Sequence, residues 1–250
     1  MKVRALRALS FVTVAAFAAA CNDSTAPDRQ PADLGEVLTE MTVPSIAATL
    51  VPGLPATPST SAPTPSSCSY DAATQSFTCP TVTATGVSFT RSFTLLTLAG
   101  TPQSQFDAAT TDAVRTNSTM AGTFTTSGST FTVAGQEELT LSGLLSGVHT
   151  LAGTSLLNVT GTEAASGAPY TLSITTHVND LVLPATRADK WPKSGSIVVD
   201  LTHTVSSTTS TSHLSATFNG TSKVAVSLTS GGVSVNCTVD LASQHPTCGG

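Results

Sequence analysis

Sulfur chemistry is the reactivity that residue spacing specifies most directly in this chain. The chain contains five cysteines: Cys21, Cys68, Cys79, Cys237 and Cys248. The last four form two local pairs, and both pairs have the same separation of eleven positions. Zinc sites place Cys-x-x-Cys or histidine ligands close together, and this spacing does not resemble them. We therefore predict two disulfides, Cys68–Cys79 and Cys237–Cys248, and no metal site.

The aromatic residues inside the first pair support this prediction. Folding the segment 68–79 about positions 73 and 74 sets Tyr70 opposite Phe77 and Cys68 opposite Cys79. A cross-strand aromatic pair stabilises such a register, and cysteines at this separation can meet disulfide geometry. The segment 237–248 folds in the same way about positions 242 and 243.

The first twenty residues have the features of an export signal. Three basic residues precede an apolar run, 8–20, that is too short to cross a bilayer as a helix. The run ends in the sequence Ala18-Ala19-Ala20-Cys21. Here the chain resembles bacterial lipoprotein precursors, whose lipobox places small residues before a cysteine. The resemblance implies cleavage before Cys21, a lipid on its sulfur and a further acyl chain such as palmitate on its amino group.

The odd number of cysteines favours the lipid modification of Cys21. In an oxidising compartment the fifth thiol would otherwise stay unpaired. The alternative is an ordinary signal peptide that is cleaved after Ala20. Asn22 at the second mature position resembles lipoproteins that are sorted to the outer membrane, so the expected location is the cell envelope.

Residues 21–66 are predicted to form a lipidated cysteine followed by a disordered Pro/Thr/Ser-rich tether. Eight of the 14 prolines lie in this segment, mostly between Ala, Thr and Ser. Such a composition cannot bury enough apolar surface to fold and favours an extended chain. The β domain is then expected over residues 67–250.

Apolar residues alternate with hydroxyl residues along the β domain. Val87, Phe89, Phe93 and Leu95 share one parity, and Ser88, Thr90, Ser92 and Thr94 share the other. This period of two recurs along the chain and predicts about ten strands with one apolar face each. Short connections predict an antiparallel meander that forms a curled sheet or half-barrel, or a sandwich.

The hairpin around Asn219-Gly220 gives a test of strand register. A two-residue turn at this dipeptide would expose Val224 and its apolar neighbours, which is costly. A three-residue loop, 218–220, instead sets Leu214 opposite Val224 on the buried face. We predict the second register.

The charge of the chain excludes nucleic acid as a partner. Without the signal, seven Lys and Arg face 15 Asp and Glu, a formal charge of −8. Backbone phosphates would be repelled by such a surface. Charged residues make up only 10% of the chain, so many surface positions must carry hydroxyls.

No catalytic constellation can be assembled from the motifs, so we expect neither enzyme activity nor a cofactor. There is no Gly-x-Ser-x-Gly, Walker or His-Glu-x-x-His sequence. Parity places His203 and His213 on opposite faces of the sheet, which argues against a shared metal. Glu137 and Glu138 are adjacent and also point to opposite faces, so they cannot act as a carboxylate pair.

The one concentrated polar cluster is a loop that contains Arg187, Lys190, Trp191 and Lys193. It is a candidate contact site for anionic lipid, peptidoglycan or glycan, with Trp191 stacking and the cations pairing. The alternative is a solvated loop in which Trp191 caps an open edge of the core.

The leading functional hypothesis is a non-enzymatic envelope lipoprotein, a structural or binding module that contacts the membrane through Cys21 and a glycan, lipid or protein of the envelope. The alternative is a carrier of lipid or of lipoproteins, which needs an apolar cavity inside the curled sheet. A hydrolase is the remote third hypothesis.

Overall fold

A computed structural model of the chain describes residues 67–126, 128–162, 167–184, 191–243 and 245–249. The predicted signal peptide (1–20), Cys21 and the tether up to residue 66 lie outside the described residues. Within the described ranges, no helix is long and apolar enough to cross a membrane.

Nine of the strands are long, and five are short strands of two to five residues. In chain order they are β1 (Ser69–Asp71), β2 (Ser76–Thr78), β3 (Val82–Ala84), β4 (Val87–Thr97), β5 (Pro102–Gln103), β6 (Thr111–Thr126), β7 (Ser129–Ser142), β8 (Thr150–Thr162), β9 (Pro169–Val182), β10 (Ser194–Val205), β11 (Thr208–Thr217), β12 (Lys223–Ser230), β13 (Val233–Asp240) and β14 (His245–Gly249). The predicted all-β class is confirmed, with fourteen strands rather than about ten because of the short ones.

The strands form one antiparallel sheet in nearly sequential order. The order is β1-β2-β4 and then β6 to β14 without a crossover, so the predicted meander is confirmed. Three short strands, β2, β3 and β5, pair with β4. The sheet is open, and its two outermost strands are β1 and β14.

One face of this sheet holds the apolar core, and we call it the inner face. Seven of its side chains have no solvent exposure: Val87, Phe93, Leu95, Val114, Leu141, Val159 and Val224. The described residues contain no second sheet or helix that could cover this face. The buried side chains of β4 to β13 form one hydrophobic cluster, and burial of each large one stabilises the fold by about 1.5–3 kcal/mol.

The predicted register of the β11–β12 hairpin is wrong. Leu214 lies opposite Leu228, four positions from Val224, and residues 218–222 form the loop. The Phe218 N–H donates to the Gly195 carbonyl at 3.0 Å, and Phe218 is itself buried. These contacts with the start of β10 favour the longer loop. The predicted burial of Val224 is nevertheless confirmed, since a shift of four residues keeps every side chain on its face.

Candidate binding site on the inner face

Four cysteines lie near the two ends of the sheet, in the pairs that the sequence predicts. Disulfides join Cys68 to Cys79 and Cys237 to Cys248, with Cα–Cα distances of 4.1 and 4.0 Å. Both predicted pairings are confirmed. They fix the hairpins that contain the outermost strands β1 and β14. Tethered short strands at both edges limit pairing with other chains, so these cysteines have a structural role.

The polar loop is only partly described. Arg187 and Lys190 lie outside the described residues. Trp191 is half-buried and packs against the hydrophobic core, while Lys193 is exposed and its backbone N–H donates to the Val182 carbonyl at 2.8 Å. The contacts of Trp191 match the interpretation in which this side chain caps the core.

His203 and His213 do not share a site. His213 lies on the outer face, where its Nδ1 is 2.7 Å from the Asp200 carboxylate across the β10–β11 pair. His203 lies on the inner face, with its ring centroid 5.0 Å from that of Tyr170. The prediction that His203 and His213 face opposite sides is confirmed. Across the described ranges, no group of three or more His, Cys, Asp or Glu residues could hold a metal ion.

A row of polar side chains crosses the inner face, and sequence reasoning missed it. The strand register joins five residues from neighbouring strands into one line: Arg91, Ser118, Glu137, Ser155 and Thr176. We call this line the inner polar row. It lies between rows of mainly apolar residues, so it interrupts the face that forms the core.

Solvent reaches one end of the inner polar row. Arg91, Ser118 and Glu137 are half-buried, and so are Phe89 and Met120 in the next row. On the other side of the row, Phe93 and Leu139 are buried. The accessible part of the inner face therefore joins three polar groups to two apolar ones on β4, β6 and β7.

The polar groups of this patch have no partners among the described residues. The Ser118 hydroxyl oxygen is buried without a hydrogen bond. The described residues show no side-chain hydrogen bond or ion pair to Arg91 or Glu137, and the interaction between these two is the effect of the Arg91 charge on the Glu137 carboxyl. By contrast, the Thr116 hydroxyl in the adjacent row donates to the Leu139 carbonyl at 3.5 Å. Buried polar groups are normally paired, so the unpaired Ser118 hydroxyl between two charged residues on a core face indicates a site.

Burial changes the acidity of Glu137. Desolvation raises the pKa of its carboxyl above 4.5, and the positive charge of Arg91 lowers it to a smaller extent. The protonated acid is a hydrogen-bond donor, as are the Ser118 hydroxyl and the guanidinium. The patch can therefore present three donors to one acceptor group.

The sequence did contain a signal for this row. Arg91 has the parity of Phe89 and Phe93, and Glu137 has the parity of Val133 and Leu139. A charged residue that has the same parity as the buried residues of its strand indicates a polar group on the core face. The prediction that Glu137 and Glu138 point to opposite faces is confirmed, and it places Glu137 on the inner face.

Glu137→Gln is expected to stabilise the folded chain at about pH 7 relative to the wild type. Because the folded-state pKa of Glu137 is raised, the stability linked to its protonation is present below the unfolded pKa and is lost as pH rises through the folded pKa. An amide does not titrate, so the advantage of the variant in free energy of unfolding should grow from about pH 4 to about pH 7. Urea denaturation at both pH values measures it.

The matched control is Glu138→Gln, which removes the same charge from the exposed outer face. An advantage of Glu137→Gln that does not increase with pH, or that Glu138→Gln reproduces, would contradict the assigned environment of Glu137.

Comparison of the chain with protein-family models, with curated proteins and with solved structures gives no match.

Proposed function

We propose that this chain is a lipid-anchored protein of the cell envelope, located at the outer membrane, whose β domain is a non-enzymatic binding module. The observation that carries the binding role is the inner polar row. A purely structural sheet gains little from Arg91 and Glu137 on its core face, because even half-buried charged groups lose part of their hydration there. A binding site accepts that cost because the ligand supplies the missing partners.

The anchor is supported by the basic–apolar–Ala-Ala-Ala-Cys21 order of the N-terminus. The membrane is then one partner, through the lipid on Cys21, and the ligand of the β domain is an envelope glycan, lipid or protein. Stable retention needs two or three acyl chains, since a single chain binds membranes only marginally. The tether separates the domain from this anchor.

Cys21→Ser is expected to move the protein from the membrane fraction to the soluble fraction, or to stop its maturation, because the acceptor sulfur is lost. The measurement is fractionation of cells followed by detection of the chain and of its size. Ser24→Ala serves as the control, since it leaves the acceptor cysteine in place. Retention of a normally matured Cys21→Ser protein in the membrane would overturn the anchor.

The second candidate function is a carrier of lipid or lipoproteins. The half-buried Phe89 and Met120 beside the inner polar row favour it, because apolar side chains next to polar donors suit an amphipathic ligand. Native mass spectrometry of the folded protein, after removal of its anchor, tests both functions. A co-purifying lipid supports the carrier, a co-purifying glycan or protein supports the module with another ligand, and a ligand-free protein counts against both.

A further inference from the structure

We propose that Arg91, Ser118 and Glu137 bind the headgroup of a single-chain amphiphile that carries a carboxylate, with Phe89 and Met120 against the start of its alkyl chain. This inference rests on the proposed binding function and names the ligand class. The strand register aligns Arg91 with Ser118 and Ser118 with Glu137 across β4, β6 and β7.

The charge of the site selects an anion. The Arg91 guanidinium lies on the inner face without an ion-pair partner among the described residues, and its planar fork matches a carboxylate in bidentate geometry. Because the site holds one cation, Arg91, and one acid, Glu137, a ligand group with a single negative charge fits it best. A doubly charged phosphate would meet Glu137 with twice the repulsion once that carboxyl ionises.

The remaining polar groups complete the contacts of a carboxylate. The buried Ser118 hydroxyl lacks a partner and can donate to one oxygen. The Glu137 carboxyl donates a second hydrogen bond when it is protonated, and burial favours that form by raising its pKa. No covalent step is involved.

The adjacent row explains why the ligand is an amphiphile rather than a small acid. Phe89 pairs with Met120, and Met120 pairs with Gly135 across β6 and β7. A Cβ at Gly135 would lie 3.3 Å from the Met120 methyl, so glycine leaves room for that flexible side chain. Phe89 and Met120 are half-buried, and an alkyl chain laid over them would cover the apolar area that water now reaches.

The experiment is isothermal titration calorimetry of the full chain carrying Cys21→Ser with dodecanoate below its micelle-forming concentration. Two further probes distinguish the contribution of the headgroup from that of the alkyl chain. Dodecyltrimethylammonium has a similar chain with a cationic headgroup, and butanoate has the same headgroup with a short chain. We expect dodecanoate to bind and both other probes to bind at least about tenfold more weakly, because each lacks one half of the interaction.

Arg91→Gln is expected to weaken dodecanoate binding by about tenfold or more, since a charge-assisted hydrogen bond is lost. Arg115→Gln is the matched control, because Arg115 is exposed on the outer face of β6. It should bind as the parent does. Circular dichroism of each variant shows whether it is folded.

A second pair of variants keeps the proposal testable if Arg91→Gln does not fold. At pH values where dodecanoate itself stays ionised, the affinity of the parent should fall as pH rises through the folded pKa of Glu137, whereas the affinity of Glu137→Gln should not depend on pH. The strands that adjoin β7, β6 and β8, place Ser118 and Ser155 beside Glu137. The charged group that acts on Glu137 is Arg91, one strand further away on β4. His203 also lies on the inner face and can titrate, so the same pH series is measured with His203→Gln, which should show the pH dependence of the parent.

Each outcome decides one hypothesis. Equal binding of dodecanoate and dodecyltrimethylammonium, or wild-type affinity in Arg91→Gln, would overturn this site while leaving a binding module in place. Absence of dodecanoate binding would overturn the ligand class, and native mass spectrometry would still decide the proposed function independently.

Discussion

Phe93→Ala should lower the free energy of unfolding by about 3–5 kcal/mol. Phe93 has no solvent exposure, and its ring stacks on Phe77 with centroids 4.7 Å apart. Truncation therefore removes the transfer free energy of the ring, leaves a cavity in the core and breaks an aromatic pair. Because Phe77 belongs to the hairpin closed by Cys68–Cys79, the loss also loosens the attachment of β1 and β2 to β4.

Equilibrium denaturation in urea measures this effect as a lower midpoint at an unchanged slope. Leu98→Ala is the matched control, because Leu98 is 79% exposed in the turn after β4 and should change stability by less than about 0.5 kcal/mol. A loss below about 1 kcal/mol for Phe93→Ala would show that this ring is not part of the packed core.

Gly153→Ala should destabilise the domain by about 2–5 kcal/mol, of which about 1–2 comes from backbone conformation and about 1–3 from overpacking. The register between β8 and β9 shifts just before Gly153, which has φ of +151°. A Cβ there would lie 2.1 Å from the Glu138 carbonyl oxygen and 2.8 Å from the Leu139 Cα. Both contacts are with backbone, so β7 would have to move away from β8.

Gly147→Ala separates the two causes. Gly147 has φ of +71°, and a Cβ at this position would meet nothing within 4 Å. It should therefore show the conformational cost alone, about 1–2 kcal/mol. Thermal and urea unfolding of both variants give the comparison, and equal losses for Gly147→Ala and Gly153→Ala would refute the close approach of β7 and β8.

The faces of the strands could be predicted from the sequence because alternation is a local property of extended backbone. Leu139 and Leu141 are buried while Glu138 is exposed, as their parity requires. The disulfides could be predicted for a similar reason. Each closes one hairpin, and Tyr70 opposite Phe77 fixes the register of the first within the same twelve residues.

The inner polar row could not be assembled from the sequence alone. Parity places Arg91 and Glu137 on the core face, but it does not say that Ser118 lies between them. That alignment depends on two registers, β4 with β6 and β6 with β7, which are set over the whole length of long strands. Only the assembled sheet shows that these residues form one row.

The β11–β12 hairpin shows why register was the part that the sequence left undetermined. The predicted pairing of Leu214 with Val224 and the observed pairing with Leu228 bury the same side chains. An even shift leaves the apolar pattern unchanged, so the pattern cannot distinguish the two registers. Contacts from outside the hairpin decide between them: the Gly195 carbonyl accepts from Phe218, and the Pro192 carbonyl accepts from Gly220 at 2.9 Å. Tertiary structure sets the register because those acceptors belong to a neighbouring strand and the loop before it.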